Sequence, residues 1–188
     1  MILDLSVVVD ADTQGPPAAG SPPVVLETAF RGPGHWQSSR IGALIHTGTH
    51  VDAPLHVVAG GRPIDAVTLD ELAGPAVVLD LHDADEREPL DALRLARAAE
   101  ALSRPPETGE IVVVRTDWTD RWWGSFPDYY TRSPFLTVDA GAWLAALAPR
   151  AVVVDFFEEE CAVSTDFTSE DSSCRLFAEI GGDAVPGR

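Results

Sequence analysis

Three continuous apolar runs stand out in the second half of the chain: Ala76–Leu81, Ile111–Thr116 and Ala151–Phe156. Each run is rich in β-branched residues and is bounded by glycine, proline or charged residues, which is typical of buried strands. Helical patterns separate them, over Pro89–Leu102 and over Val138–Ala148. A strand–helix–strand–helix–strand order predicts an α/β arrangement with parallel strand pairing.

The first sixty residues follow another pattern. Short strands are predicted at Ile2–Val9, Val24–Phe30 and Ser39–Ile45, and they are joined by turns rich in glycine and proline. A β-rich N-terminal half therefore leads into a β-α-β-α-β half. A length of 188 residues is typical of one domain, so we expect residues 1–188 to form a single domain.

Charge and composition argue against several classes of partner and cellular location. The chain carries 13 basic and 30 acidic residues, a net charge of −17, which argues against nucleic acid and anionic membranes as partners. No apolar run approaches the roughly 20 residues of a membrane span. The N-terminus lacks the basic start of a signal peptide, and two cysteines do not make a disulfide framework. These features predict a cytoplasmic protein.

The most informative segment runs from His46 to His56 and reads His-Thr-Gly-Thr-His-Val-Asp-Ala-Pro-Leu-His. It holds three of the five histidines and a carboxylate, which together are the ligand types of zinc or manganese. On a straight strand His46 and His50 would lie roughly 13 Å apart, whereas two ligands of one ion are separated by about 3–4 Å. A tight curl at Gly48 would bring His46, His50 and Asp52 together.

Chance clustering of packed or surface histidines is the alternative, and the glycine and proline at the bends make it the weaker one. Three protein ligands with one open position are typical of a catalytic ion rather than a structural one. We therefore predict one divalent metal ion, Zn²⁺ ahead of Mn²⁺, on His46, His50 and Asp52.

This segment resembles the H-x-G-T-H-x-D-x-P-x-H signature of the cyclase family of metal-dependent hydrolases, which includes bacterial kynurenine formamidases and isatin hydrolases. The resemblance extends from about residue 2 to about residue 156, and several further stretches carry it. These are Asp4-Leu5-Ser6, Gly60-Gly61 with Ile64-Asp65 and Leu69, Gly74–Asp80, and Val114–Trp118. It implies a swivelling β/β/α fold, the three metal ligands named above, and a small-molecule substrate. We also expect a homodimer or higher homo-oligomer.

The C-terminal part departs from the family pattern. Members with two metal ions usually supply a His and, twelve positions later, a Glu, where this chain has Cys174 and Pro186. Phe156-Phe157 replaces the family's Thr-Pro after Asp155. These departures favour one metal ion over two. Candidates for a further ligand are Glu158-Glu159-Glu160, Glu170, Asp171 and Cys174, and the sequence does not choose among them.

His56, the last residue of the motif, is predicted to be the catalytic acid/base. An imidazole with a pKa near 6.5 can move protons at neutral pH, and family analogy points the same way. The alternatives are a further metal ligand or a residue that orients a ligand.

Aromatic residues crowd the segment from Trp118 to Tyr130. Small-molecule pockets are mostly apolar and aromatic, so Trp118, Trp122 and Trp123 are predicted to bind an aromatic or polyketide-like substrate. The equally weighted alternative is that these rings pack the loop onto the body of the protein or form a dimer contact.

The leading functional prediction is metal-dependent hydrolysis of an amide-type C–N bond in an aryl formamide or lactam. A cyclase or dehydratase of secondary metabolism, or a catalytically idle relative that binds a ligand, are the alternatives. No G-x-S-x-G, P-loop or G-x-G-x-x-G motif occurs, so serine hydrolase and nucleotide-binding functions are disfavoured.

Overall fold

The computed structural model describes residues 3–17, 20, 23–32 and 34–160. Its central element is a three-stranded parallel sheet in the order β3–β5–β7, formed by β3 (Ala76–Asp80), β5 (Ile111–Arg115) and β7 (Ala151–Val154). The three predicted apolar runs are thus confirmed as parallel strands. Each strand ends one or two residues before the apolar run does.

Two nine-residue helices connect these strands: α1 (Ala92–Glu100) and α4 (Val138–Ala146). Asp91 and Thr137 are their N-caps, because each side chain accepts a hydrogen bond from the first turn. The helix predicted from Pro89 begins later, since Pro89–Leu90 (β4) pairs in parallel with Phe135–Leu136 (β6). Two short helices, α2 (Trp118–Trp122) and α3 (Asp128–Thr131), lie between β5 and β6.

The core lies between the parallel sheet and its helices. Strand β3 alternates exposed and buried positions, with Val77 and Leu79 facing the core. The largest fully buried side chains include Leu79, Leu81, Leu90, Leu95, Val112, Val114, Trp118, Leu136 and Leu144. Burying such apolar surface provides the main favourable term in folding, and all the buried apolar side chains of the described residues except Val24 lie in this half of the chain.

The N-terminal half contains an antiparallel hairpin of β1 (Val25–Arg31) and β2 (Trp36–Gly42). All seven residues of β2 are exposed. Paired residues of antiparallel strands share a face, and one face of this hairpin carries Leu26, Phe30 and Ile41 together with Thr28, Gln37 and Ser39. That face therefore contains no charged side chain.

The strand predicted at Ile2–Val9 is wrong for the described residues 3–9, which have no regular secondary structure. The hydrogen bonds of this segment explain the error. Ser6 N–H donates to the Asp4 carboxylate (2.9 Å) and Val7 N–H donates to the Thr49 hydroxyl (3.0 Å). Side chains thus satisfy backbone groups that a strand would pair with another strand. The mixed α/β fold itself is confirmed.

No helix in the described part of the chain is both long enough and apolar enough to cross a membrane.

Candidate metal centre

The loop that follows β2 brings three donor atoms together. His46 Nδ1 lies 3.1 Å from Asp52 Oδ1 and 3.3 Å from His50 Nε2, and His50 Nε2 lies 3.7 Å from Asp52 Oδ1. Ligands of one ion at about 2.0–2.2 Å are about 3–4 Å apart. The donor set therefore fits a single divalent cation. Among the described residues, this is the only group of three or more such side chains placed to hold one.

Gly48 forms the curl that makes this convergence possible. Its φ of 74° lies in the left-handed region that favours glycine. A Cβ on Gly48 would lie 2.5 Å from a methyl carbon of Val9, so the N-terminal segment packs directly on the curl. The curl expected from the sequence is therefore present, and Val9 covers it.

The backbone of the loop also selects the tautomer of His50. His50 Nδ1 lies 2.8 Å from the carbonyl oxygen of Gly48, and a carbonyl can only accept a hydrogen bond. Nδ1 therefore carries the proton, which leaves the lone pair of Nε2 directed at the other two donors. A backbone partner of this kind orients a metal-binding imidazole.

His46 is the least exposed of the three donors, with 24% of its side chain accessible. Burial lowers its pKa below the usual value, and the neighbouring Asp52 acts in the opposite direction. Nearby His56 and His50 lower the pKa further. The lowered pKa favours the neutral imidazole, which is the form that binds metal ions.

His56 lies beside the donor group at the end of a short 3₁₀ turn, Pro54–His56. Its ring centroid is 4.3 Å from that of His46, and its side chain is exposed. It does not join the three converging donors. This placement favours an acid/base role over that of a further ligand, which stays a prediction.

The aromatic segment is divided between core and surface. Trp118 is fully buried, and its Nε1 donates to the Tyr129 carbonyl (2.9 Å), so it packs the loop onto the body and presents no face to a ligand. Trp122 stacks on Trp118 with 5.1 Å between ring centroids. Trp122 and Trp123 are half-buried, and their substrate-binding role stays a prediction.

A carboxylate-rich segment lies near the metal loop. The charge of Glu159 acts on His46, and that of Asp52 acts on Glu158. Burial, and then the charges of Glu159 and Asp52, raise the pKa of Glu158 to about 7. Glu158 and Glu159 therefore interact electrostatically with the candidate metal centre, although they lie far from it in the sequence. Glu170, Asp171 and Cys174, the other predicted ligand candidates, lie outside the described residues.

Asp155 holds the carboxyl end of the sheet together. Its carboxylate accepts hydrogen bonds of 2.7 Å from Thr116 N–H, the Thr116 hydroxyl and Asp117 N–H. It therefore connects the ends of β5 and β7 and directs the chain towards the glutamates that follow. These partners lie 38 or 39 positions before Asp155 in the sequence, so sequence reasoning did not identify them.

The comparisons with known proteins agree with this geometry. A family model described as "Putative cyclase" matches residues 3–160, which is most of the chain. The chain belongs to the cyclase family. The resemblance identified from the motif is thereby confirmed.

Curated relatives in this family include enzymes. The chain is 36% identical over 117 residues to kynurenine formamidase of Polaromonas naphthalenivorans, which covers 62% of this chain and 44% of that protein. It is 32% identical over 126 residues to cyclase-like protein 1 of Oryza sativa, covering 64% and 43%. The matched regions span less than half of the curated relatives' lengths.

Solved structures share the fold. Isatin hydrolase A from Labrenzia aggregata, bound to benzyl benzoate, superposes with a TM-score of 0.74 over 96% of this chain and 77% of that one, at 24% identity. A structure described as a potential metal-dependent hydrolase with cyclase activity superposes with a TM-score of 0.53 at 27% identity, covering 76% and 62%.

Proposed function

We propose that this protein is a metal-dependent hydrolase that cleaves an amide-type C–N bond in an aryl formamide or a lactam. The convergence of His46 Nδ1, His50 Nε2 and Asp52 Oδ1 within 4.8 Å of one another carries the proposal. Relatives named kynurenine formamidase support the reaction class, and a structural neighbour described as a potential metal-dependent hydrolase supports the metal.

His46, His50 and Asp52 would hold one divalent ion. Two imidazoles and one carboxylate suit zinc first and manganese second. When bound, such an ion polarises a substrate carbonyl and lowers the pKa of a coordinated water to about 7. Three protein ligands would leave a further coordination position of the ion free for water or substrate.

His56 would move the proton. It is exposed beside His46 and can accept a proton from the attacking water. The same imidazole can return that proton to the nitrogen of the leaving group when the C–N bond breaks. Glu159, whose charge acts on His46, and Glu158, on which the charge of Asp52 acts, would tune the electrostatics of this step.

The substrate would be a neutral or weakly charged carbonyl compound with a flat ring. A net charge of −17 disfavours the binding of polyanions except directly at the metal ion. Trp122 and Trp123 offer aromatic surface outside the fully buried core. N-formylkynurenine and isatin are the first compounds to test, with polyketide-like rings as the next class.

The decisive experiment combines metal analysis with turnover. The purified protein is depleted with a chelator, reloaded with Zn²⁺ or Mn²⁺, and assayed for hydrolysis of N-formylkynurenine and isatin by absorbance. We expect one ion per chain and activity that depends on it. Bound metal without hydrolysis of either substrate would instead favour the cyclase or dehydratase function. A folded protein without metal would favour a ligand-binding relative.

The proposal also includes the oligomeric state and the cellular location of the protein. A homodimer would cover the uncharged hairpin face of Leu26, Phe30 and Ile41, since an uncharged surface can meet its own copy without repulsion in a chain of net charge −17. An isolated two-stranded hairpin is marginally stable in water and needs such a contact. A cytoplasmic location is also part of the proposal, because two cysteines do not make a disulfide framework.

A further inference from the structure

The turn that carries His56 rests against the backbone of Gly61. Leu55 N–H donates a 3.0 Å hydrogen bond to the carbonyl of Arg62, which ties the turn to the chain that returns past it. A Cβ built on Gly61 would lie 2.8 Å from the carbonyl carbon of Pro54 and 2.9 Å from Leu55 N. Backbone atoms cannot swing aside as a flexible side chain does. Any residue other than glycine therefore displaces the turn.

Arg62 is fixed in its turn by a two-point ion pair. Its Nη2 lies 2.6 Å from Glu71 Oε2 and its Nη1 lies 3.2 Å from Glu71 Oε1. Glu71 is itself held by the N–H and hydroxyl of Thr68, at 2.9 and 3.0 Å. A bidentate guanidinium–carboxylate pair fixes orientation as well as distance. Arg62 is thus anchored on another 3₁₀ turn, Leu69–Glu71, which begins with a capping box formed by Thr68 and Glu71.

We infer that Gly61 and the Arg62–Glu71 pair are positioning residues for His56. They hold the turn Pro54–His56 so that the His56 imidazole stays 4.3 Å from the ring of His46. None of the three is among the converging donors. The inference rests on the acid/base role proposed for His56, because misplacing a catalytic group by ~1 Å can cost about 10²-fold in rate.

Gly61→Ala tests this directly. We expect kcat to fall by about 10- to 100-fold while KM and the metal content stay near those of the wild type, since the donors themselves are untouched. Gly32→Ala is the matched control, because a Cβ on Gly32 meets nothing within 4 Å. Loss of the ion from Gly61→Ala would overturn the inference, since the glycine would then support the metal loop instead.

A double-mutant cycle separates positioning from general damage. If Gly61 acts through His56, then adding Gly61→Ala to His56→Ala lowers kcat no further. Losses that multiply would show that the glycine acts independently of His56 and would overturn the inference.

The ion pair supplies a second, independent variant where Gly61→Ala does not fold. Arg62→Ala is expected to lower kcat with the metal retained, and Arg62→Lys to restore part of the loss. Arg104→Ala is the control, because Arg104 makes a similar pair with Glu110 (2.5 and 2.9 Å) before β5. Equal losses of kcat in the Arg62→Ala and Arg104→Ala variants would overturn the inference.

A readout without turnover distinguishes this inference from the proposed function. If the wild type hydrolyses neither substrate class, the proposed function fails on its own. Histidine side-chain NMR of the zinc-loaded protein then decides the positioning. Gly61→Ala should shift the His56 imidazole signals, assigned by their loss in His56→Ala, and leave those of His82 in place. Unshifted His56 signals would overturn the inference.

Discussion

The indole Nε1 of Trp123 donates a 2.9 Å hydrogen bond to the carbonyl oxygen of Val8. The residues on either side of Val8 contact the metal loop: Val7 N–H donates to the Thr49 hydroxyl, and Val9 packs on Gly48. The N-terminal segment is therefore held between the aromatic loop and the curl of the candidate metal centre. This segment therefore links the candidate metal centre to the aromatic loop that was predicted to bind substrate.

Trp123→Phe should weaken metal binding. Phenylalanine keeps an aromatic ring beside Phe126 and Tyr129 but removes the hydrogen bond to Val8, which is worth about 1 kcal/mol. The segment that covers Gly48 is then less firmly seated, and we expect a several-fold rise in the dissociation constant for Zn²⁺, measured by competition with a chromophoric chelator. Trp143→Phe in α4 is the control and should leave zinc affinity unchanged. Equal zinc affinities in the wild type and both variants would show that the hydrogen bond from Trp123 to Val8 does not contribute to metal binding.

The three donors should each be required for the ion. His46→Ala, His50→Ala and Asp52→Ala remove one ligand each, and we expect the metal content of each purified variant to fall well below one ion per chain. His82→Ala is the matched control, because His82 pairs with Asp80 and takes no part in the donor group. Elemental analysis after reloading with zinc measures the result. Full occupancy in any of the three variants would remove that residue from the ligand set.

His56→Ala should keep the ion and lose turnover. A general acid/base group contributes about 10²–10⁴-fold, and the donor set does not include His56. Metal content and kcat are measured on the same preparation, with His35→Ala as a control for removing a histidine. A variant that loses the ion would make His56 a ligand, and an unchanged kcat would place the proton transfer elsewhere.

The sequence predicted the local features of this protein better than its long-range ones. His46, His50 and Asp52 could be chosen because they lie within seven residues and a glycine allows the bend. The parallel strands could be predicted because each is a continuous apolar run. Such features depend on neighbours along the chain.

The features that could not be predicted from the sequence depend on contacts between residues that are distant along the chain. Asp155 meets Thr116 across 39 positions, and Trp123 meets Val8 across 115. No local pattern encodes these pairs. The same limit applies to Trp118, which was predicted to bind substrate. Its indole Nε1 donates to the carbonyl oxygen of Tyr129, and only the folded loop brings this partner into place.

Acid should weaken the fold through Glu110. Arg104, and then the N–H of Glu107, lower the pKa of Glu110 from 4.5 to about 2. A carboxylate whose pKa is lower in the folded state stabilises the fold above its unfolded pKa, and that contribution is lost as pH falls from about 4.5 to about 2. Glu110→Gln should therefore reduce the pH dependence of the free energy of unfolding in that range. Urea titrations at several pH values measure it, with Glu100→Gln as the control. An unchanged pH dependence would contradict the assignment.

The uncharged face of the β1–β2 hairpin should decide the oligomeric state. Ile41 and Phe30 are 70% and 75% exposed in the single chain, although both are large apolar side chains. On the same face Leu26 lies opposite Ile41, so an arginine at position 41 would place a charge in the middle of the contact. We expect the wild type to sediment as a dimer and Ile41→Arg as a monomer, because burying an unpaired charge costs several kcal/mol. Leu93→Arg is the matched control, since Leu93 is 57% exposed on α1. A dimer that persists in Ile41→Arg would move the contact to another surface, and a monomeric wild type would refute the proposed dimer.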